Sequence, residues 1–165
     1  MAQVKLDLSG LDEWQEKLEK AAGPAGVEAG CRTAVGRMAA VYLDEAKKNT
    51  PVSGKIIRII DKRHNRVYTS NTEHMRRSWG AGRIVKLRRA FSVRVFNSAS
   101  YASYVNDGHR QHAGRFVPVL GKRLKKSYVE GLYMAEKAEH KLKRDTPAIL
   151  QGVLDDICEE AMNLK

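Results

Sequence analysis

The chain has 165 residues and 18.5 kDa, with 42% hydrophobic residues, enough to build a core without metal or disulfide staples. It carries 30 Lys+Arg against 19 Asp+Glu, a formal charge of +11 and a pI near 9.8. Mean hydropathy of −0.49, no apolar run of membrane-spanning length, and an N-terminus without a signal-like apolar stretch point away from membranes and export. Cys31 and Cys158 lie too far apart in sequence to suggest a disulfide framework or a paired metal site.

The positive charge is segmental. Residues 1–50 carry a net −1 and residues 127–165 a net −3, while residues 51–126 hold 18 basic and 3 acidic side chains, a net +15. Self-repulsion on that scale calls for an anionic partner, either nucleic acid or an acidic protein surface. Arginine outnumbers lysine 12 to 6 in this segment, which suits bidentate pairing to carboxylate or phosphate alike.

In chain order, Leu8, Leu11, Trp14, Leu18 and Ala21 recur at helical spacing behind a Ser9–Asp12 cap, and Gly23-Pro24 stops that helix. Val27, Cys31, Ala34, Met38, Tyr42 and Ala46 form a second stripe that ends before Pro51. The basic middle reads as strands. Ile56–Ile60 and Arg66–Thr69 flank a polar turn, and Phe91, Val93 and Val95 alternate with Ser92 and Arg94. Asn106-Asp107-Gly108 is turn chemistry, and Gly114 and Gly121 punctuate the stretch beyond it. Glu130–Lys143 suggests a helix, and Thr146-Pro147 reads as the N-cap and first turn of a separate one lined by Leu150, Val153, Leu154, Ile157, Cys158 and Ala161. The expectation is one α+β domain over residues 1–165, a mainly antiparallel sheet with amphipathic helices packed on one face.

Chemistry-bearing motifs are sparse. His109 and His112 are three apart but bracketed by Gly108 and Gly114, so the segment reads as a polar loop rather than a metal site. His64 and His74 sit among arginines without a paired carboxylate, both cysteines sit on apolar stripes, and no phosphate-cradling or nucleophile-elbow motif occurs. No enzyme and no cofactor is expected. The candidate basic surface is Lys62, Arg63, Arg66, Arg76, Arg77, Arg88, Arg89 and Arg94.

Three stretches in order carry a resemblance: Asn49-Thr50-Pro51-Val52-Ser53-Gly54 followed by Met75-Arg76-Arg77-Ser78-Trp79; Asn97 followed by Tyr101–Arg110; and Tyr128–Met134 leading into the last helix. The sequence resembles the tail-component, or head–tail joining, family of long-tailed bacteriophages and defective prophages over about residues 10–164. That family's turn ordinarily runs almost directly into the Arg-Arg-Ser-Trp strand. Here residues 55–74 intervene, read as an inserted basic hairpin or loop that carries partner specificity.

The resemblance implies a neck or tail-completion protein without catalytic residues. Pro51 and Gly54 would serve the turn, Trp79, Tyr101 and Tyr104 packing, and Gly108 an unusual backbone angle. It implies a homo-oligomeric ring between the portal or stopper side and the tail-tube side, with double-stranded DNA passing through. It also implies assembly in the bacterial host cytoplasm, incorporation into the virion neck or tail, and no membrane partner. The competing reading from charge alone is a sequence-independent DNA-binding protein.

Overall fold

A computed structural model describes residues 4–5, 12–52, 57–61, 66–70, 73–88, 90–118 and 121–163. In chain order the elements begin with β1 (Val4–Lys5), α1 (Asp12–Asn49), β2 (Ile57–Asp61), β3 (Arg66–Ser70) and α2 (His74–Arg77). There follow β4 (Trp79–Ala81), β5 (Val85–Leu87), β6 (Ala90–Ser92), β7 (Arg94–Asn97) and α3 (Ala102–Asp107). The chain ends with β8 (Gly108–Arg110), β9 (Phe116–Val117), β10 (Lys122–Arg123), β11 (Tyr128–Glu130) and α4 (Met134–Asn163). The fold is α+β, and among the described strands every pairing is antiparallel. One sheet has three strands in the order β1-β7-β4; the remaining pairs are two-stranded: β2 with β3, β5 with β6, β8 with β11 and β9 with β10.

Gly23 breaks α1 with φ 68 and ψ −173, so two helical pieces meet there, as Gly23-Pro24 leads one to expect. The consequence is a sharp bend. A Cβ built on Gly30 would lie 2.8 Å from Leu18 Cδ1, whereas a straight helix at ~1.5 Å per residue would hold residues 18 and 30 about 18 Å apart. The fold-back lets Trp14 and Leu18 join the stripe of Cys31, Ala34, Val35, Met38, Tyr42 and Ala46 in one core. The absence of a side chain at Gly30 permits the close approach, because Leu18 and Ile157 both press on that position.

The C-terminal expectation needs correction. Thr146-Pro147 does not open a new helix: α4 runs through both residues from Met134 to Asn163. Proline removes the backbone donor that would reach Lys143 O, while the Thr146 hydroxyl adds a bond of its own to the Leu142 carbonyl at 2.8 Å. Burial of Met134, Ala135, Ala138, Leu142, Leu150, Val153 and Leu154 on one continuous face outweighs the local cost. Trp14 Nε1, donating to Leu150 O at 3.0 Å, ties α1 to this helix just beyond the proline. Cys158, expected on the apolar face, is exposed, while Cys31 is buried and burial pushes its thiol up from the ordinary range.

In the sheet region the alternation behaves as read: Phe91, Val93 and Val95 are buried and Arg94 is exposed. Val85 and Leu87 differ, with 48% and 54% of their surface open.

Tyr42 sits at the centre of the core with 1% of its surface accessible. Burial, then the carboxylates of Glu136 and Glu139, push its phenol up to about 12. In the unfolded chain the phenol ionises near 10, so the stabilisation is fully present below pH 10 and is lost as pH rises from there to about 12. The loss should reach roughly 2–3 kcal/mol. Urea denaturation of wild type and Tyr42→Phe across pH 9–12 should give curves that diverge only above pH 10, the phenylalanine variant losing less.

Candidate interaction surface

The stretches that carry the resemblance meet in space at two joints. The first forms where α1 ends. Thr50 is buried; its hydroxyl donates to Ala46 O at 2.6 Å and accepts from Trp79 Nε1 at 2.8 Å. A guanidinium nitrogen of Arg76 donates to Thr50 O at 3.2 Å. Asn97 Nδ2 donates to Met75 O at 2.9 Å, and its Oδ1 accepts from the Ala99 amide at 3.0 Å. Ser98 N donates to Ser78 O at 2.9 Å. The turn after α1, the Arg-Arg-Ser-Trp segment and the Asn97 corner are thus held by polar groups that would otherwise be buried unsatisfied.

The second joint links the Tyr101–Arg110 stretch to Tyr128–Met134. Asn106 is buried; its Oδ1 accepts from the Ala135 amide at 3.0 Å, satisfying a donor in the first turn of α4 from outside the helix. Its Nδ2 donates to Asp107 Oδ1 at 2.6 Å and to both carboxylate oxygens of Glu136 at 3.1 and 3.2 Å. Backbone bonds from Leu132 N to Val105 O and from Tyr133 N to Asn106 O, each 3.0 Å, complete the seam. Asn106→Ala should cost about 2 kcal/mol, the worth of a cap plus a buried amide left unpaired. A urea midpoint shift at unchanged slope would measure it.

The basic residues divide. Arg76 is partly buried, bonded to Thr50 O, with its Nε buried and unpartnered among the described residues; it braces the first joint. Arg77 pairs with Glu73 at 2.8 Å on the surface. Arg88 is exposed at the β5–β6 turn with φ 53, a left-handed angle costly for a side chain with a Cβ. Arg94 lies over the Phe96 ring at 5.9 Å. Lys62, Arg63, Arg89 and Gly54 fall outside the described residues, as does the side chain of Arg66, which lies in β3 directly opposite Asp61. Among the described residues, the sequence-chosen cations thus occupy four different settings: a buried corner, a surface ion pair, a turn and an aromatic face.

A groove of about 460 Å³ opens beside Arg88, lined by Glu28, Cys31, Lys86 and Phe91 among others. Lys86 reaches Glu28 at 2.6 Å, and both Lys86 and Arg32 lie over the Phe91 ring. Lys86, followed by Arg32, holds the Glu28 carboxyl below its ordinary value. Lys86 is thus matched to Glu28 and Phe91 inside the groove, while Arg88 lines its edge.

Tyr101 and Tyr104, expected as packing residues, are 44% and 59% exposed. The Tyr101 hydroxyl lies 3.3 Å from His74 Nδ1, and the Tyr104 ring meets His109 edge-on at 5.8 Å. Trp79 is buried and packs edge-to-face on Tyr42 at 6.3 Å. Pro51 is exposed in the turn, and Gly108 has φ 81. His109, expected in a loop, lies in β8 opposite Val129. Among the described residues no three His, Cys, Asp or Glu side chains converge as metal ligands, and no helix is long and apolar enough to cross a membrane.

One feature escaped sequence reading altogether. Gly108–Arg110 pairs with Tyr128–Glu130, and Phe116–Val117 with Lys122–Arg123. Between these ladders, Gln111 N donates to Ser127 O and Gly114 N to Leu124 O, both at 2.8 Å. Residues 108–118 and 121–130 thus pair along a two-stranded arm. Its signal was present only as the glycine pair 114 and 121, both with positive φ.

No curated protein and no solved structure matches the chain significantly. The sequence model of the HK97-gp10-like family, a bacteriophage tail component, matches residues 12–108, from the start of α1 to the glycine at the base of the arm. That span includes the whole first joint and half of the second, so the chain belongs to the HK97-gp10-like family of bacteriophage tail components, structural proteins of the virion.

Proposed function

We propose that this tail component acts at the phage neck, as a subunit of a homo-oligomeric ring that joins or completes the tail and through which double-stranded DNA passes. It assembles in the host cytoplasm and contacts the portal or stopper side through one surface and the tail-tube side through another. A ring requires such heterologous surfaces. The observation that carries the reading is the placement of exposed hydrophobic side chains. Of the nine large ones exposed among the described residues, Tyr101, Tyr104, Phe116, Tyr128, Leu132 and Tyr133 belong to one stretch around the second joint and the arm. Exposed tyrosines gathered with arginines are the composition of a protein interface core.

The polar groups of the two joints are engaged in holding backbone, which suits an architectural rather than a catalytic role. The hairpin inserted at about residues 55–74 would choose the partner, and Arg77, Arg88 and Arg94 would meet its acidic groups. Deleting the gene should leave heads and tails unjoined, or tails of abnormal length, in electron micrographs of lysates. Normal infectious particles would reject the proposal. Tyr104→Ala together with Tyr133→Ala should reproduce the defect without unfolding the subunit, because both rings are half exposed.

A further inference from the structure

Beyond its base at the second joint, the described part of the arm does nothing for the core. None of its described residues between Arg110 and Tyr128 is buried, and a two-stranded ribbon without a covered apolar face is marginal in water. Its composition is one-sided: between Asp107 and Glu130 there are six Lys and Arg side chains, Arg110, Arg115, Lys122, Arg123, Lys125 and Lys126, and no acidic one. Among the described residues none of the six meets a carboxylate; Arg123 alone makes a bond, donating to Gly114 O at 2.8 Å. Lys86 and Arg32 behave oppositely, since both pair with Glu28.

The pairing register places three of these charges, Arg110, Lys122 and Arg123. Lys122 lies opposite Val117 and Arg123 opposite Phe116, so adjacent cations project from opposite faces of the ribbon. Arg110 shares its face with Tyr128. A ribbon docked on a flat acidic protein surface would gather its cations on one face. Cations on both faces suit a slot with anionic walls on either side. The grooves of duplex DNA are such slots, and the major groove, about 12 Å wide, admits a two-stranded ribbon. A turn closed by Arg115 N donating to His112 O at 3.2 Å separates the two ladders, so the ribbon bends partway along its length.

We propose that this arm is a contact for double-stranded DNA, gripping phosphates on both walls of a groove without reading sequence. It deepens the neck reading and rests on it for the presence of the duplex. The test is fluorescence anisotropy of a labelled 30-base-pair duplex of arbitrary sequence, titrated with full-length protein at several salt concentrations.

Three proteins are compared: wild type; an arm variant with Arg115, Lys122, Lys125 and Lys126 changed to Gln; and a variant of equal net charge with Lys17, Lys20, Lys48 and Lys137 changed to Gln. All eight are exposed apart from the core, and matched thermal transitions would show that each variant folds. The arm variant should bind at least tenfold more weakly at low salt, with a log K against log salt slope shallower by about 3 to 4, since each phosphate contact contributes ~0.9. The charge-matched variant should stay near wild type. Equal losses in both variants, or no binding by wild type at low salt, would overturn the proposal. So would an arm variant that binds DNA normally yet fails to join tails, which would make the arm a protein contact. Normal particles from the deletion strain, with arm-dependent DNA binding intact, would remove the neck reading and leave the arm's affinity standing.

Discussion

Replacing Gly108 by alanine should destabilise the protein by more than 3 kcal/mol and lower its thermal midpoint by about 10 °C, at the ~2–4 °C per kcal/mol usual for a chain of this size. Two independent terms add. The backbone at Gly108 has φ 81 and ψ 174, a region that essentially only glycine enters, at a cost of about 1–3 kcal/mol for other residues. A Cβ there would also lie 2.5 Å from Val129 O, 2.6 Å from Tyr128 Oη and 2.7 Å from Gly131 N, two of them backbone atoms of the opposing strand and its end.

The two terms can be separated within the same arm. Gly114 and Gly121 have φ 83 and 60 with nothing within 4 Å of a built Cβ, so alanine at either should cost only the conformational part, about 1 kcal/mol. Gly131 provides the reverse case. It has no positive φ, yet its Cβ would lie 2.2 Å from Asn106 O, so Gly131→Ala tests the steric term alone. Thermal denaturation followed by circular dichroism gives all four values. A Gly108→Ala variant within 1 kcal/mol of wild type would mean that the arm does not leave the body through this strained corner.

How far the fold can be read without coordinates depends on what holds each segment. Where apolar periodicity and packing agree, as along Cys31–Ala46 or Phe91–Val95, sequence reading and structure coincide. At Thr146-Pro147 they conflict. A Thr-Pro pair is a strong local signal for a helix start, but the apolar faces on both sides of it lie in phase against α1, and burial of that continuous stripe decides. Proline's lost bond costs ~3 kcal/mol at most sites, less than the burial of several large side chains supplies.

The arm fails to announce itself for a different reason. It has no buried face, so period-two alternation, the usual mark of a strand, has no cause to appear. What organises it is backbone pairing from Gly108–Glu130 outward, and residue types are silent on such pairing beyond the turn glycines. The candidate site was legible only in part for the same physical reason. Charge counting singles out Arg76 and Arg77 together, but one lies against Thr50 O at a buried corner and the other faces solvent beside Glu73. Tyr101 and Tyr104 look like core residues by type, yet at the start of the short α3 and within it both face outward.

Truncating Trp79 should be the other severe lesion, because the ring joins three parts of the first joint at once. It is 6% exposed and packs edge-to-face on Tyr42 of α1, and its Nε1 donates to Thr50 Oγ1, whose own proton goes to Ala46 O. Trp79→Ala should cost about 3–5 kcal/mol, the range for removing a large buried aromatic ring. Trp79→Phe keeps most of the apolar surface and loses the donor. Thr50 Oγ1 then keeps its bond to Ala46 and lacks only the one it accepts, so the cost should be about 1–2 kcal/mol.

The difference between the two variants measures packing, and a cycle with Thr50→Val measures the hydrogen bond. If the indole and the hydroxyl act as one unit, the double variant should be less damaged than the sum of the singles by about 1 kcal/mol. Strict additivity in urea denaturation would show that Trp79 holds its segment to α1 by packing and not by the bond to Thr50 Oγ1. Among the described residues the Arg76 bond to Thr50 O would then be the remaining polar tie across that corner, and Arg76→Lys, which cannot reproduce a planar guanidinium's reach, should weaken the joint more in the Trp79→Phe background than in wild type.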